Sequence, residues 1–283
     1  MVDEYLRLGD FPKEFQDVLM REFAPYSVGM GWVSSRTRQT FTPFGSRTLV
    51  SKNGKVGVLT AQHCVREMHH TSRGHDTVVL ILRDARAVYL PPDSLIEHRL
   101  TTPLSDEYGP DLDFLELAPS DQQRTILGIA SVWPLNGHVD TLLREFGTEG
   151  LLLAWVGFPE ERCETISLPS GFRRRGYYLT CPNVIQQGDI IEKSGWDYIQ
   201  SKCFYCDEND LPKSFGGASG GGIWSIRVIR DEITRKLVIG KRALVGVAFY
   251  ETGIEKNERY IRGHFIRSIY DVAWRNSRLG DVA

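Results

Sequence analysis

The 283-residue sequence has no apolar run long enough to span a membrane, which needs roughly 18 uninterrupted apolar residues. Its longest runs, such as Leu151 to Val156, have the length of one strand. No basic segment followed by an apolar one stands near Met1, so no secretory signal is expected. Nor is there a repeat at the periods of about 20 to 50 residues that mark solenoids. These absences argue against a membrane-spanning, a secreted or a repeat protein.

Net charge and cysteine content are also low. The net charge is only −2, so no global field would draw the chain to nucleic acid or to an anionic membrane, and neither partner is expected. The cysteine count is odd, at five, which favours free thiols in a reducing compartment and hence a cytoplasmic location. The cysteines are Cys64, Cys163, Cys181, Cys203 and Cys206. The C-x-x-C pair at 203–206 leaves a four-thiolate zinc site open as an alternative, but we expect free buried thiols, no metal and no cofactor.

Short strand-like runs separated by Gly, Pro, Asn and Asp make up most of the chain after residue 27. This texture predicts an all-β fold. Examples of the predicted strands are Ser27–Ser34, Arg47–Ser51, Val56–Thr60, Thr77–Leu82, Asp111–Leu117, Leu151–Gly157, Gly222–Ile229 and Leu237–Phe249. Apolar residues at helical spacing predict a helix over 13–23, a second over 266–278, and a short one near Leu142 within the connection 119–150.

Three segments carry a histidine, an aspartate and a serine, the residue types that nucleophilic catalysis by serine requires. In the first, an apolar strand ends in Thr60-Ala61-Gln62-His63-Cys64, and in the second Asp111 opens the strand DLDFLEL. The third places Ser219 within the glycine-rich turn GGASGGG. A serine hydroxyl needs a histidine to accept its proton, and that histidine needs a carboxylate to fix its tautomer. Glycines beside the serine let backbone N–H groups converge on an oxyanion, here those of Gly217 and Ser219.

The motifs LTAQHCV, DLDFLEL and GASGGG, in the order His, Asp, Ser, resemble those of the chymotrypsin- and trypsin-like serine proteases. The likeness extends over roughly residues 40–275 and includes the strand 244–250, which is similar to the family strand that pairs with substrate backbone. It implies a serine endopeptidase with His63, Asp111 and Ser219 as catalytic triad and Gly217 and Ser219 as oxyanion hole. A protein or peptide substrate is expected, and an activating partner protein stays open. Asp113 is an alternative to Asp111, but Asp111 fits the apolar pattern of the family strand better.

The resemblance also implies a fold. We expect two antiparallel six-stranded β-barrels with an N-terminal helical extension and a C-terminal helix. The predicted units are a helical extension at 1–26, a first barrel with the histidine and aspartate at 27–140, and a second barrel with the serine and the final helix at 141–283.

Several positions depart from the family pattern. Ala218 stands where members activated by proteolysis carry an acid, so activation of that kind is not expected. Cys64 has no cysteine before it to form the disulfide of secreted members. These departures are closer to intracellular bacterial or viral relatives than to digestive enzymes.

By the resemblance, substrate contacts fall to Lys213 at the floor of the primary pocket and to Phe249, Tyr250 and Glu251 along its wall. Three arrangements of Lys213 stay open. If Lys213 faces the pocket alone, an acidic P1 side chain is favoured, and if it pairs with Glu251, only a small or uncharged P1 side chain fits. If Lys213 points to solvent, it has no effect on the choice of P1 residue. Two further functions also stay open: a catalytically silent binding module and an esterase on the same scaffold.

Overall fold

The structure is a computed structural model, and it describes most of the chain. The described residues are 11–34, 41–71, 76–83, 86–101, 108–146, 151–162, 164–167, 173–176, 184–185, 188–205, 212–275 and 277. The helices in these ranges are α1 (Lys13–Phe23), α2 (Gln62–Thr71), α3 (Asp121–Ile129), α4 (Val139–Phe146) and α5 (Ile266–Tyr270).

Strands fall into two groups along the sequence. The first group is β1 (Ser27–Ser34), β2 (Phe41–Lys52), β3 (Lys55–Thr60), β4 (Asp76–Ile81), β5 (Ala87–Leu90), β6 (Leu95–Arg99), β7 (Asp113–Leu117) and β8 (Trp133–Pro134). The second is β9 (Leu151–Val156), β10 (Glu164–Ser167), β11 (Arg173–Gly176), β12 (Val184–Ile185), β13 (Asp189–Lys193), β14 (Trp196–Phe204), β15 (Gly222–Arg230), β16 (Leu237–Glu251) and β17 (Glu258–His264).

Each group builds its own antiparallel sheet. The first sheet has the order β5-β4-β1-β2-β3-β7-β6, with β8 added in parallel beside β2. The second has the order β12-β9-β15-β16-β17-β14-β13, while β10 and β11 form a separate pair. Neighbouring strands in the order are mostly close in sequence, as short antiparallel connections require.

The two-residue period of β-strands divides the first sheet into an inner and an outer face. On its inner face Val58 and Leu115 join an apolar core together with Val65 and Met68 of α2. On its outer face Leu59 and Phe114 join a second core, which belongs to the other sheet and includes α1 and α5. The outer face of β2, β3 and β7 is therefore where the two halves of the molecule pack, and the candidate site lies along this contact.

The predicted all-β class with two barrel-type sheets, an N-terminal helix and a C-terminal helix is confirmed. The sheets contain eight and seven strands rather than six each, because short strands such as β8 and β12 add to them. The C-terminal helix is shorter than predicted: α5 ends at Tyr270, and a 3₁₀ turn over Val272–Trp274 follows. The division of the chain at residues 140 and 141 stays a prediction. Among the described helices, none is long and apolar enough to cross a membrane.

Candidate active site

His63 and Asp111 are joined by two hydrogen bonds. The imidazole Nδ1 lies 2.5 Å from Asp111 Oδ2, and the backbone N–H of His63 donates to Oδ1 at 2.8 Å. His63 stands in the first turn of α2, directly after β3, and Asp111 lies two residues before β7, which pairs with β3. The strand pairing thus brings the base and the acid together. A carboxylate at Nδ1 holds the proton there and leaves Nε2 to face the cleft.

The charges of this pair reinforce each other. Burial disfavours the carboxylate of Asp111, but the hydrogen bonds and charge of His63 outweigh it, so the pKa of Asp111 lies below its usual value. Burial likewise disfavours the imidazolium of His63, but the neighbouring Cys64 thiolate and the Asp111 carboxylate outweigh it and raise the pKa of His63. Asp111 is therefore ionised at neutral pH and stabilises a proton on the ring.

Asp113, the alternative acid, lies elsewhere. Its side chain is fully buried, Oδ1 accepts the backbone N–H of Leu100 at 3.0 Å, and Oδ2 has no hydrogen-bond partner in the described part of the chain. Burial raises the pKa of Asp113 to about 7. The structure brings Asp111, and not Asp113, to His63.

His264, which the sequence analysis did not single out, holds Asp111 in place through a hydrogen bond to its backbone. Its Nε2 accepts the backbone N–H of Asp111 at 3.0 Å, and its ring is fully buried against Phe249 with centroids 4.9 Å apart. Burial lowers the pKa of His264 to about 4, so the ring is neutral and can accept this bond. The sequence signal for its role was a histidine at the end of a mostly apolar strand. That signal does not identify the partner, because Asp111 lies 153 residues away in the sequence.

Backbone hydrogen bonds hold the turn that carries Ser219. The carbonyl of Ser219 accepts the N–H of Ser46 at 3.1 Å, and the Ser46 hydroxyl donates to the carbonyl of Gly217 at 2.7 Å. From the other side, the N–H of Gly220 donates to the carbonyl of Ala248 at 2.7 Å. Ser46 on β2 therefore fixes the serine turn of the second sheet to the first sheet, a role that the sequence did not reveal.

The turn leaves the predicted oxyanion donors free. Neither Gly217 nor Ser219 donates its backbone N–H to a protein acceptor in the hydrogen bonds of the described residues. Gly220 has φ +86°, and a Cβ placed on it would lie 2.1 Å from the carbonyl oxygen of Ser46. Only glycine fits at this position.

A cleft of about 290 Å³ brings His63, Ser219 and Gly217 to one surface. No hydrogen bond joins Ser219 to His63 in the part of the chain that the structure describes. Instead the thiol of Cys64 lies 3.3 Å from His63 Nε2. His63 and Ser219 thus share a cleft, Asp111 is hydrogen-bonded to the histidine outside the lining of that cleft, and the nitrogen that would receive the serine proton contacts a thiol.

Behind the serine turn lies a small apolar cavity of about 20 Å³. It is lined by Trp155, Val156, Gly157, Pro159, Phe215, Ala218, Ala248 and Ile261, none of which carries a charge. An ammonium group entering beside Ala218 would find no carboxylate among these residues. This agrees with the expectation that activation does not use an acid at this position.

The predicted substrate-binding residues are spread around the end of β16. Phe249 is buried, with 5% of its surface exposed, and Tyr250 is half-buried. Glu251 bonds to Arg259, to the Ser214 hydroxyl and to the N–H of Phe215. Lys213 is exposed, and no ion pair joins it to Glu251 in the described residues. Of the three arrangements left open for Lys213, the structure contains the solvent-exposed one.

One edge of β16 is open where substrate backbone would pair. Its pairing with β15 ends at Val247, whereas its pairing with β17 continues to Glu251. On the β15 side, residues 249–251 therefore have no strand partner among the described strands. An extended peptide can add to such an edge through main-chain hydrogen bonds.

The described residues contain no candidate metal site. No group of three or more His, Cys, Asp or Glu side chains that could hold a metal occurs in the described residues. Cys64 and Cys203 are free and buried. Cys163, Cys181 and Cys206, which the zinc alternative would need, lie outside the described residues.

The chain is similar in structure to solved structures of other proteins. The Rv3671c protease from M. tuberculosis, in its active form, matches over 88% of this chain and 81% of that chain, with 13% sequence identity and a TM-score of 0.42. No protein-family model matches the sequence. No curated protein matches it either.

Proposed function

We propose that the chain is a serine endopeptidase in which Ser219 is the nucleophile, His63 the general base and Asp111 the orienting acid. The observation that carries the proposal is the His63–Asp111 pair, whose two hydrogen bonds leave Nε2 facing the cleft that Ser219 lines. A histidine fixed by a carboxylate at Nδ1 can take the proton of a serine hydroxyl when its Nε2 is unprotonated, that is, when the proton that it shares with Cys64 lies on the sulfur.

The reaction would be acyl transfer. Ser219 Oγ attacks the carbonyl carbon of a peptide bond, while His63 Nε2 takes the hydroxyl proton and then returns it to the leaving amine. The N–H groups of Gly217 and Ser219 donate hydrogen bonds to the oxyanion of the tetrahedral intermediate and stabilise its negative charge. Water, deprotonated by the same histidine, then releases the acyl group from the serine.

Substrate backbone would pair with the open edge of β16 at residues 249–251. A peptide in that place adds a strand to the second sheet and lays its scissile bond toward the serine turn. Glu251 is already paired with Arg259, so it offers no free charge to a P1 side chain. We therefore expect uncharged P1 residues, with no contribution from Lys213.

A second candidate, a protease-like module that binds peptides without cleaving them, is favoured by one observation. The thiol of Cys64 occupies the hydrogen-bonding position at Nε2, and a base held there does not serve Ser219. This candidate keeps the open strand edge and loses turnover.

A fluorophosphonate probe separates the two candidates. The endopeptidase proposal requires covalent labelling of the wild type, and no labelling of Ser219→Ala or His63→Ala. Ser131→Ala, which changes an exposed serine away from the cleft, is the matched control and should be labelled like the wild type. Labelling that persists in Ser219→Ala would overturn the proposal, and an unlabelled wild type would favour the binding module.

Cleavage itself needs a second measurement, because an esterase would also react with the probe. New protein N-termini should appear in a proteome treated with the wild type and not in one treated with Ser219→Ala. If the probe labels the wild type but neither new N-termini nor cleaved library peptides appear, the esterase is favoured instead.

A further inference from the structure

Cys64 lies next to the base and is not needed for acyl transfer. Its Sγ is 3.3 Å from His63 Nε2 and 4.0 Å from the carbonyl oxygen of Ser219. The side chain is 4% exposed, and the exposed part lines the cleft. It forms no disulfide. A thiol in this place is shielded from large molecules but lies at the wall of an open cleft.

Arg47 approaches the same sulfur from inside the protein. Its side chain is fully buried on β2, and its guanidinium donates to the carbonyls of Ser46 at 2.5 Å and Phe44 at 3.2 Å. Its Nε has no hydrogen-bond partner among the described residues. A Cβ placed on Gly45 would lie 3.2 Å from Arg47 Nη1 and 3.4 Å from Cys64 Sγ, so both groups border one small space. A buried guanidinium requires an anion nearby.

The groups around the sulfur favour its charged form. Burial disfavours a thiolate, but His63 and then Arg47 outweigh burial, and the pKa of Cys64 lies below its usual value even though Asp111 opposes this. For Arg47, burial works against the charge, and Cys64, followed by the more weakly acting Glu67, supports it. Cys64 also lies in the first turn of α2, where the helix dipole stabilises an anion. The sulfur thus has a cation on either side.

We propose that Cys64 is a modification site: a thiolate held between His63 and Arg47 that small peroxides oxidise, with loss of the free base. The first half of this inference rests on the contact of Cys64 with His63, on the position of Arg47 beside it and on the charges that these two groups carry. The second half, the loss of a working base, rests on the proposed function.

The oxidation balances with hydrogen peroxide as the oxidant. The thiolate sulfur attacks one peroxide oxygen, an S–O bond forms and the O–O bond breaks. Sulfur loses two electrons and becomes a sulfenic acid, while the other oxygen leaves as hydroxide and takes a proton to become water. Two equivalents of a small thiol reverse the change: the first forms a mixed disulfide and releases water, and the second releases Cys64 and a disulfide.

The added oxygen has little room. Sγ and Nε2 are already in contact, so the oxygen either separates them or projects into the cleft toward Ser219. In either position it occupies the path between the serine hydroxyl and Nε2. Oxidised protein is therefore expected to lack a functional base, and thiol reductant is expected to restore it.

The first experiment measures the thiol without using activity. Alkylation of Cys64 by iodoacetamide is followed by peptide mass spectrometry at pH 6, 7 and 8, in the native chain and in the same chain unfolded in urea. An ordinary thiol is only a few per cent ionised at pH 7, so its rate rises about tenfold per pH unit. We expect that rise in urea and a clearly shallower rise in the native chain, because the lowered pKa of Cys64 leaves more of the thiolate already formed.

Variants and an internal reference sharpen this measurement. His63→Ala should restore the steep pH dependence in the native state, since one of the two flanking cations is gone. Peroxide followed by dimedone should mark Cys64 and leave the buried Cys203 unmarked. A native rate that rises with pH as steeply as in urea, or a dimedone adduct equal at both cysteines, would overturn the modification site.

The second experiment tests the consequence. Peroxide should abolish fluorophosphonate labelling of the reduced wild type, reductant should restore it, and labelling of Cys64→Ala should be insensitive to peroxide. Equal sensitivity of Cys64→Ala would refute the loss of the base by this route. A reduced wild type that is never labelled would mean that the proposed function has failed, and the alkylation rates would still decide whether Cys64 is the modified thiol.

Discussion

The two halves of the candidate site are held in place by different forces. On the first sheet, His63 is positioned by the charged carboxylate of Asp111 at Nδ1, while its Nε2 contacts the sulfur of Cys64. On the second sheet, Ser219 is positioned by backbone hydrogen bonds and by glycines, with the Ser46 hydroxyl as clamp. Changing a charge should therefore alter the reaction while the fold survives, and changing a glycine should alter the fold of the turn itself.

The largest expected effect comes from the charged half. Asp111→Asn should lower kcat/KM for a cleaved peptide by about 10³–10⁴-fold, because the neutral amide stabilises the wrong imidazole tautomer. Its melting temperature should change little. The matched control is Asp113→Asn, which lies two residues along the chain and does not touch His63. A larger loss of rate in Asp113→Asn than in Asp111→Asn would mean that the observed pairing is not the catalytic one.

The backbone half should respond in stability. Gly220→Ala places a Cβ 2.1 Å from the Ser46 carbonyl at φ +86°, so the turn must move. We expect a loss of about 3 to 5 kcal/mol in the free energy of unfolding, measured by urea denaturation. Gly54→Ala is the control: its φ is +78°, but a Cβ there meets no heavy atom within 4 Å. Strain alone should cost it about 1 kcal/mol. Equal losses would show that the contact with Ser46 adds nothing.

Local pattern predicted several of the strands. Short apolar runs between turn residues predicted β3, β7 and β9 to within two residues of their ends. The preference for Asp111 over Asp113 came from the resemblance, through the apolar positions that follow the acid. Helix α2 was missed because, of its described side chains, the buried apolar ones are only Cys64, Val65 and Met68, in an otherwise polar segment. A short apolar patch on ten residues gives too little periodicity for detection.

The contacts that complete the site had no local signal. Ser46 bonds to Gly217 across 171 residues, and His264 bonds to Asp111 across 153. Such pairs are set by how the two sheets pack, which periodicity does not encode. The position of the Cys64 thiol at Nε2 likewise depends on how α2 leaves β3, so the sequence offered the cysteine but not its contact.

Asp113, the buried acid two residues from Asp111, allows the burial of charge in the first sheet to be tested through stability. Its pKa is raised by burial to about 7, above the unfolded value near 3.8. The folded chain therefore binds the proton more tightly, and the stabilisation is complete below pH 4 and is lost as pH rises to 7. Glu97, Arg99 and Asp111 act on the same carboxyl, and other groups titrate in this range, so the comparison is with Asp113→Asn. We expect the difference in unfolding free energy between the two proteins to change by about 2 to 4 kcal/mol from pH 4 to pH 7, at the expense of the wild type. A difference that does not vary with pH would mean that Asp113 is not buried as described.

The smallest effect should come from Lys213, and Glu251 provides the contrast on the same pocket wall. Lys213 is exposed and not paired with Glu251 in the described structure, so Lys213→Ala should leave kcat/KM within about twofold and the preference for P1 unchanged. Glu251 accepts hydrogen bonds from Ser214 and Phe215 and pairs with Arg259, whose side chain is only 9% exposed. Glu251→Ala leaves this guanidinium without its carboxylate and should cost about 2 kcal/mol of stability. A P1-scanning peptide library run on both variants makes the comparison. If Lys213→Ala changes the P1 profile and Glu251→Ala does not, the lysine reaches the substrate, and the solvent-exposed position is not the one used in recognition.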